Sequence, residues 1–211
     1  MHIAGSVPYP WPYDGRIDGS SSALLICGAQ RELVDASSDA APVRERLATM
    51  ADAARGAGWL VVWIRHGGRA DPSRATASLP VRGTDGWQLA VAPGPGDEVV
   101  DAGGWDGCFG SDLDHLLRGR AGAASATIAL GGFASEITVD STVRTLNDRG
   151  HECLVLTDGC APLDPTLGER AHASVTMSGG IFGALGRTDL LCSLIESLPP
   201  NRTAHDKETA A

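Results

Sequence analysis

Lysine is almost absent from this chain. Among 17 basic residues, the lone lysine is Lys207, in the polar C-terminal stretch "NRTAHDKETAA". Any chemistry that needs a buried amine, whether a Schiff base or a lysine-stabilised oxyanion, is therefore excluded from the folded part. No apolar run approaches the ~20 residues needed to span a bilayer. The opening "MHIAGSVPYPWPYDGRIDG" has neither a basic n-region nor an apolar h-region, so a cytoplasmic protein without membrane association is expected. Positive charge is also scarce: the net charge of −9 disfavours nucleic acid as a partner. The five cysteines (Cys27, Cys108, Cys153, Cys160, Cys192) are odd in number and show no CxxC spacing, which argues for reduced thiols over a disulfide framework or zinc site. GxGxxG, P-loop, GxSxG and HExxH patterns are all missing, so neither a nucleotide cofactor nor a motif-bound metal is expected.

What remains is a chain of 211 residues, long enough for one sizeable core. Residues 1–21 carry prolines and turn residues and read as an arm. "SALLICG" (22–28), "WLVVWIRH" (59–66), "ATIALGG" (126–132) and "ECLVLTDG" (152–159) are short apolar runs of the kind buried on both faces of a parallel sheet. "EVVDAG" (98–103) and "IFGAL" add shorter strands. Between them lie helical patterns. "PVRERLATMADAARGAG" places Val43, Leu47, Met50 and Ala54 on one face; "SDLDHLLRGR" starts at Ser111 as its cap. A helix with Ser135 as N-cap ends at Gly150, "TLGERAHASVTM" forms another, and Thr188 caps "RTDLLCSLIES". Alternating strands and helices predict a three-layer, doubly wound α/β domain over 22–198, with a parallel sheet between helices, and 199–211 as a flexible polar tail. Ligands in such folds bind at the carboxyl ends of the strands. The stretch 67–98 has no period and is long for a plain connection.

Three segments carry more information. "ALLICGAQ" ends the first strand, "VVDAGGWDGCFGSDLD" covers 99–114, and "GGFASEITVDST" runs from a strand end into a helix. With "YPWPYDG" near the N-terminus, they resemble the isochorismatase-like cysteine hydrolases, in particular the ureidoacrylate and biuret amidohydrolase branch. The resemblance covers roughly residues 8–198. It implies C–N bond hydrolysis by an Asp, a Lys and a Cys, with a cis peptide before the nucleophile helix shaping an oxyanion hole. It also implies a homo-oligomer, a dimer or tetramer, acting on a small-molecule ligand. Placed position by position, all three catalytic residues are lost. The family's "ALLVIDMQ" keeps its glutamine as Gln30 but has Gly28 for aspartate. "VVDKPGYDAFYGTDLD" aligns Ala102 with the lysine, and "GVVTNICVEST" aligns Thr138 with the cysteine.

A threonine hydroxyl without a base or a cation is a poor nucleophile, and loss of a nucleophile alone costs orders of magnitude. The groups left near the site are His66, a candidate acid–base residue at the end of a strand, and Asp106. Trp105, Cys108, Ala134, Ser135 and Thr138 are candidate ligand contacts, Trp105 by stacking. The nicotinamide-hydrolysing relatives hold a metal with an Asp and two His; only His66 and Asp71 are offered here, so no metal is expected. Three functions follow. The first is a repurposed small-molecule enzyme or binder using the inherited pocket for acid–base or oxyanion-hole work, such as a cyclisation, dehydration or isomerisation. The alternatives are a non-catalytic structural or regulatory pseudoenzyme, and an amide hydrolase with a relocated nucleophile. In the first, the Ala134–Ser135 bond should be cis.

Overall fold

The structure is a computed structural model, described here for residues 1–67, 80–121 and 125–198. The polar tail 199–211 and residues 68–79 of the long connection, with Asp71, lie outside the described residues.

Six strands form one parallel sheet: β1 (Ser22–Cys27), β2 (Leu60–His66), β3 (Glu98–Ala102), β4 (Thr127–Phe133), β5 (Glu152–Ala161) and β6 (Ala184–Gly186). Their order is β3-β2-β1-β4-β5-β6. All six residues of β1 are buried, because helices cover both faces. The register Ile26↔Trp63 and Cys27↔Ile64 on one side, with Cys27↔Gly132 on the other, brings the ends of β2, β1 and β4 level.

The helices are α1 (Arg31–Ala36), α2 (Ala40–Gly56), α3 (Leu113–Ala121), α4 (Ser135–Asp148), α5 (Pro165–Gly180) and α6 (Thr188–Glu196). One core layer joins Leu24 and Ile26 of β1 to Leu47 and Met50 of α2 and Leu191 of α6. The other joins Leu25 and Cys27 to Leu117 of α3, Val139 and Val143 of α4 and Val175 of α5. The alternation of Leu24/Ile26 against Leu25/Cys27 across these layers is the two-residue period of a strand. This is the three-layer α/β architecture expected from the sequence.

Several local details differ from expectation. α1 is an element that the sequence pattern does not mark: at six residues it has too little periodicity to register. Ser135 is the first residue of α4, not its cap; the N-cap is Ala134, in the left-handed region at φ 48°, ψ 44°. Thr188 likewise begins α6, and Asp158 supplies the capping carboxylate: its oxygens accept from Thr188 N (2.8 Å) and Oγ1 (2.9 Å). Ser111 makes only a long contact to Leu113 N (3.4 Å) and donates instead to Gly107 O at 2.6 Å. The arm is tied down by Trp11, which is fully buried.

Candidate functional site

The carboxyl end of the sheet gathers the three positions at which the family resemblance expects aspartate, lysine and cysteine. Gly28 follows β1, Ala102 ends β3, and Thr138 lies in the first turn of α4. Gly28 N donates to Ile64 O at 3.0 Å and its φ is +65°, a conformation that costs little only for glycine. A Cβ there would lie 2.8 Å from Phe133 O, 3.0 Å from Leu33 Cδ1 and 3.3 Å from Thr138 Cγ2. Beside it, a Cβ on Gly132 would fall 2.0 Å from Cys27 O, so β1 and β4 close on each other through bare backbone. Thr138 is fully buried, and its Oγ1 donates to Phe133 O (2.8 Å) and to Ala134 O (3.3 Å). The hydroxyl thus satisfies the carbonyls leading into α4. Ala102 is fully buried; its carbonyl accepts from Gly67 N (3.3 Å) and from the guanidinium of Arg82 (3.2 Å). Arg82 is a cation near the lysine position that no motif in the chain marks out.

His66, opposite Ala102 in the ladder, is fully buried. Gln30 holds its main chain from both sides: Nε2 donates to His66 O (2.9 Å) and Oε1 accepts from His66 N (2.7 Å). The ring Nδ1 lies 3.1 Å from Gly104 O, which can only accept, so the proton sits on Nδ1. Nε2 has no partner among the described residues. Burial lowers the imidazole to about 4, outweighing the Gly104 carbonyl and the charge of Asp106, so the ring is neutral near pH 7.

The loop 103–109 is pinned, not open. Asp106 Oδ1 accepts from Cys108 N and Oδ2 from Thr145 Oγ1, both at 2.9 Å, which occupies both carboxylate oxygens. Gly107 N donates to Thr142 Oγ1 at 2.8 Å. Cys108 is buried, and burial together with Asp106 pushes its thiol up to about 12, the wrong direction for a thiolate. Trp105 is half-buried and packs against the core layer of α2 and α6. Ala134 is buried and donates its N–H to Ser37 Oγ at 2.9 Å. Cis peptide bonds among the described residues precede Pro8 and Pro12; the Ala134–Ser135 bond is trans.

Ser135 turns toward a different neighbourhood. With Asp140, Cys160 and His172 it lines a cavity of about 10 Å³ between α4, β5 and α5, room for about one water. Burial pushes the Cys160 thiol up to about 12, and burial holds His172 below the usual histidine range despite Asp140. His172 carried no motif in the sequence, and only the packing of α5 on α4 brings it here. Among the described residues no group of three His, Cys, Asp or Glu side chains is arranged to hold a metal. Among the described residues no helix is long and apolar enough to cross a membrane.

The isochorismatase domain model matches residues 22–185, which is the whole sheet up to β6. The chain belongs to the isochorismatase family. Among curated relatives of this isochorismatase-family chain, it is 31% identical over 151 residues to the ureidoacrylate amidohydrolase RutB of Methylorubrum extorquens AM1, covering 59% of each chain. It is 34% identical over 148 residues to a streptothricin hydrolase of Streptomyces noursei, covering 67% of this chain and 50% of that one. The chain thus spans between half and three-fifths of the length of these relatives. Its fold is that of a cysteine hydrolase from Pseudomonas syringae pv. phaseolicola (TM-score 0.74, 20% identity, 93% and 98% of the two chains). The nicotinamidase PncA of Bacillus subtilis shares it as well (TM-score 0.69, 17% identity, 79% and 99%).

Proposed function

We propose that this isochorismatase-family protein does not hydrolyse amides at the family's catalytic position and acts as a non-catalytic structural or regulatory member of the family. The observation that carries this is the closure at Gly28. A side chain at that position would meet a main-chain oxygen, Phe133 O, at 2.8 Å, and the neighbouring Thr138 hydroxyl already donates to that oxygen. A side chain able to act as a base at position 28 would have to displace that oxygen or the Leu33 side chain, and the glycine present supplies no such group. The candidate acid–base groups fit the same reading. His66 is sealed and neutral, and the Asp106 carboxylate is committed to a turn. The inherited-pocket enzyme, which the sequence alone favoured, has less to draw on, because the Thr138 hydroxyl is buried and donates to Phe133 O and Ala134 O.

One feature favours a second reading, a small-molecule binder: the cavity beside Ser135, Cys160 and His172, at the carboxyl ends of β4 and β5. The cavity as it stands takes about one water, so a small carbonyl compound would have to part α5 from α4 to reach the Ser135 hydroxyl and the His172 imidazole. The whole chain should be tested against ureidoacrylate, biuret, nicotinamide and simple amides, with ammonia release as readout. No turnover above background is expected. Turnover that survives Thr138→Ala but is lost in Cys108→Ala or Cys160→Ala would overturn the proposal in favour of a relocated thiol. A thermal-shift screen of small carboxylates and amides tests the binder, because a ligand stabilises the state that binds it. A shift abolished by His172→Ala would replace the non-catalytic reading with the binder.

A further inference from the structure

The two edges of the sheet are treated differently. The outer edge of β6 is covered by the chain's own arm, since Val7 N donates to Leu185 O (3.1 Å) and Leu185 N to Val7 O (2.7 Å). The outer edge of β3 receives no such strand among the described residues. Ala102 O accepts from Gly67 N, so the main-chain groups of Ala102, and by the two-residue period those of Val100 and Glu98, face β2. Those of Val99 and Asp101 therefore face outward. The Asp101 carbonyl takes a long contact from Arg82 (3.4 Å). A groove of about 420 Å³ runs beside this edge, lined by Glu98, Val99, Asp101, Ser111, Asp112 and Leu116. Its walls carry three carboxylates and no basic side chain, and its apolar floor includes Val99, which is 41% exposed. Asp101 already pairs with Arg65 at 2.7 Å; Glu98 and Asp112 are exposed and make no ion pair among the described residues.

We propose that this edge is a docking surface for an extended, basic segment of a partner protein, which adds to β3 as a further strand. Main-chain hydrogen bonds to Val99 and Asp101 would supply affinity, and alternate Lys or Arg side chains would sit over Glu98 and Asp112. A second copy of this chain fits poorly. Antiparallel pairing of two β3 edges would set Glu98 and Asp101 of one copy against those of the other, and like charges across strands are destabilising. The net charge of −9 adds to that repulsion. The groove contains none of the three triad positions, so the inference stands or fails independently of the hydrolysis assay.

The probe is a dye-labelled decapeptide of alternating lysine and valine, followed by fluorescence anisotropy against the whole protein. Controls are the glutamate–valine peptide and a lysine–valine peptide methylated on alternate backbone nitrogens. The lysine–valine peptide should bind and the controls should not, with affinity falling as salt rises. Val99→Pro removes an outward N–H while sparing the β2 ladder, and should weaken binding about tenfold or more. Glu98→Gln with Asp112→Asn should also weaken it and flatten the salt dependence. If Val99→Pro does not fold, hydrogen exchange on the unmodified protein decides: the peptide should slow the amides of Val99 and Asp101. Equal binding of the methylated peptide, or unchanged exchange at those amides, would reduce the effect to general charge attraction and overturn the proposal. No binding even at low salt would leave the carboxylates as guards against edge-to-edge association. A dimer in sedimentation that Val99→Pro dissociates would assign the edge to self-association instead.

Discussion

Gly28→Ala probes the proposed closure at position 28 with a single methyl group. The cost has two parts. At φ +65° an L-residue pays roughly 1–2 kcal/mol for the left-handed backbone. The new methyl must also find space 2.8 Å from Phe133 O and 3.0 Å from Leu33 Cδ1. Leu33 can rotate away, whereas the carbonyl belongs to the end of β4 and moves only with the strand. Overpacking of that kind adds about 1–3 kcal/mol. The sum is on the order of 3 kcal/mol, and in a domain of this size each kcal/mol shifts Tm by about 2–4 °C, so a fall of roughly 6–12 °C is expected. Thermal unfolding followed by circular dichroism measures it, and urea titration gives the matching loss in midpoint at unchanged slope. A Tm within about 1–2 °C of the unmodified protein would show that the position has room. The closure argument, and the non-catalytic reading that rests on it, would then fail.

Three further outcomes are expected. Thr142→Val leaves the buried Gly107 N–H without its acceptor at 2.8 Å, and should cost about 1–3 kcal/mol in urea unfolding; Thr142→Ser should recover most of it. Arg55→Ala should destabilise by about 3 kcal/mol, because Asp97, whose side chain is 1% exposed, loses both guanidinium contacts at 3.0 Å and retains only Trp63 Nε1 and Gly94 N. Burial alone would raise the Asp97 carboxyl, but Arg55, Trp63 and the Gly94 N–H outweigh it and hold it below the usual range. Its contribution is therefore present at neutral pH and lost as pH falls below about 4, a limb of the acid unfolding curve that Arg55→Ala should flatten. His66 works at higher pH. Its folded-state value of about 4 lies below that of the unfolded chain, about 6.5, so the unfolded state takes up a proton first. Stability should fall by up to about 3 kcal/mol between pH 6.5 and 4, and His66→Gln should remove that slope while leaving stability above pH 7 little changed.

The sequence by itself determined the layers. Leu24, Leu25, Ile26 and Cys27 form a short continuous apolar run of β-type length, as suits a strand buried on both faces, and the Val43–Leu47–Met50–Ala54 spacing marks one helical face. The family was legible for the same reason that the strand ends were: its motifs sit where glycine, glutamine and small residues are required by close backbone approach, and Gln30 still clamps His66. Helix starts were less legible. Ser135 and Thr188 look like caps by residue type, yet the carbonyl geometry of Ala134 and the carboxylate of Asp158, 30 residues away, decide those ends. What only the tertiary structure decided is the state of the site. Gly28, Ala102, Thr138 and His66 are far apart in the chain, and whether they frame a pocket or fill one depends on a few tenths of an ångström between Phe133 O, Leu33 and Thr138. The approach of His172 to Ser135, the reach of Arg82 to Ala102, and a β3 edge that no described strand covers, opposite the covered edge of β6, arise likewise from how the helices and loops pack on the sheet, because contacts between distant segments leave no periodic signal in the chain that makes them.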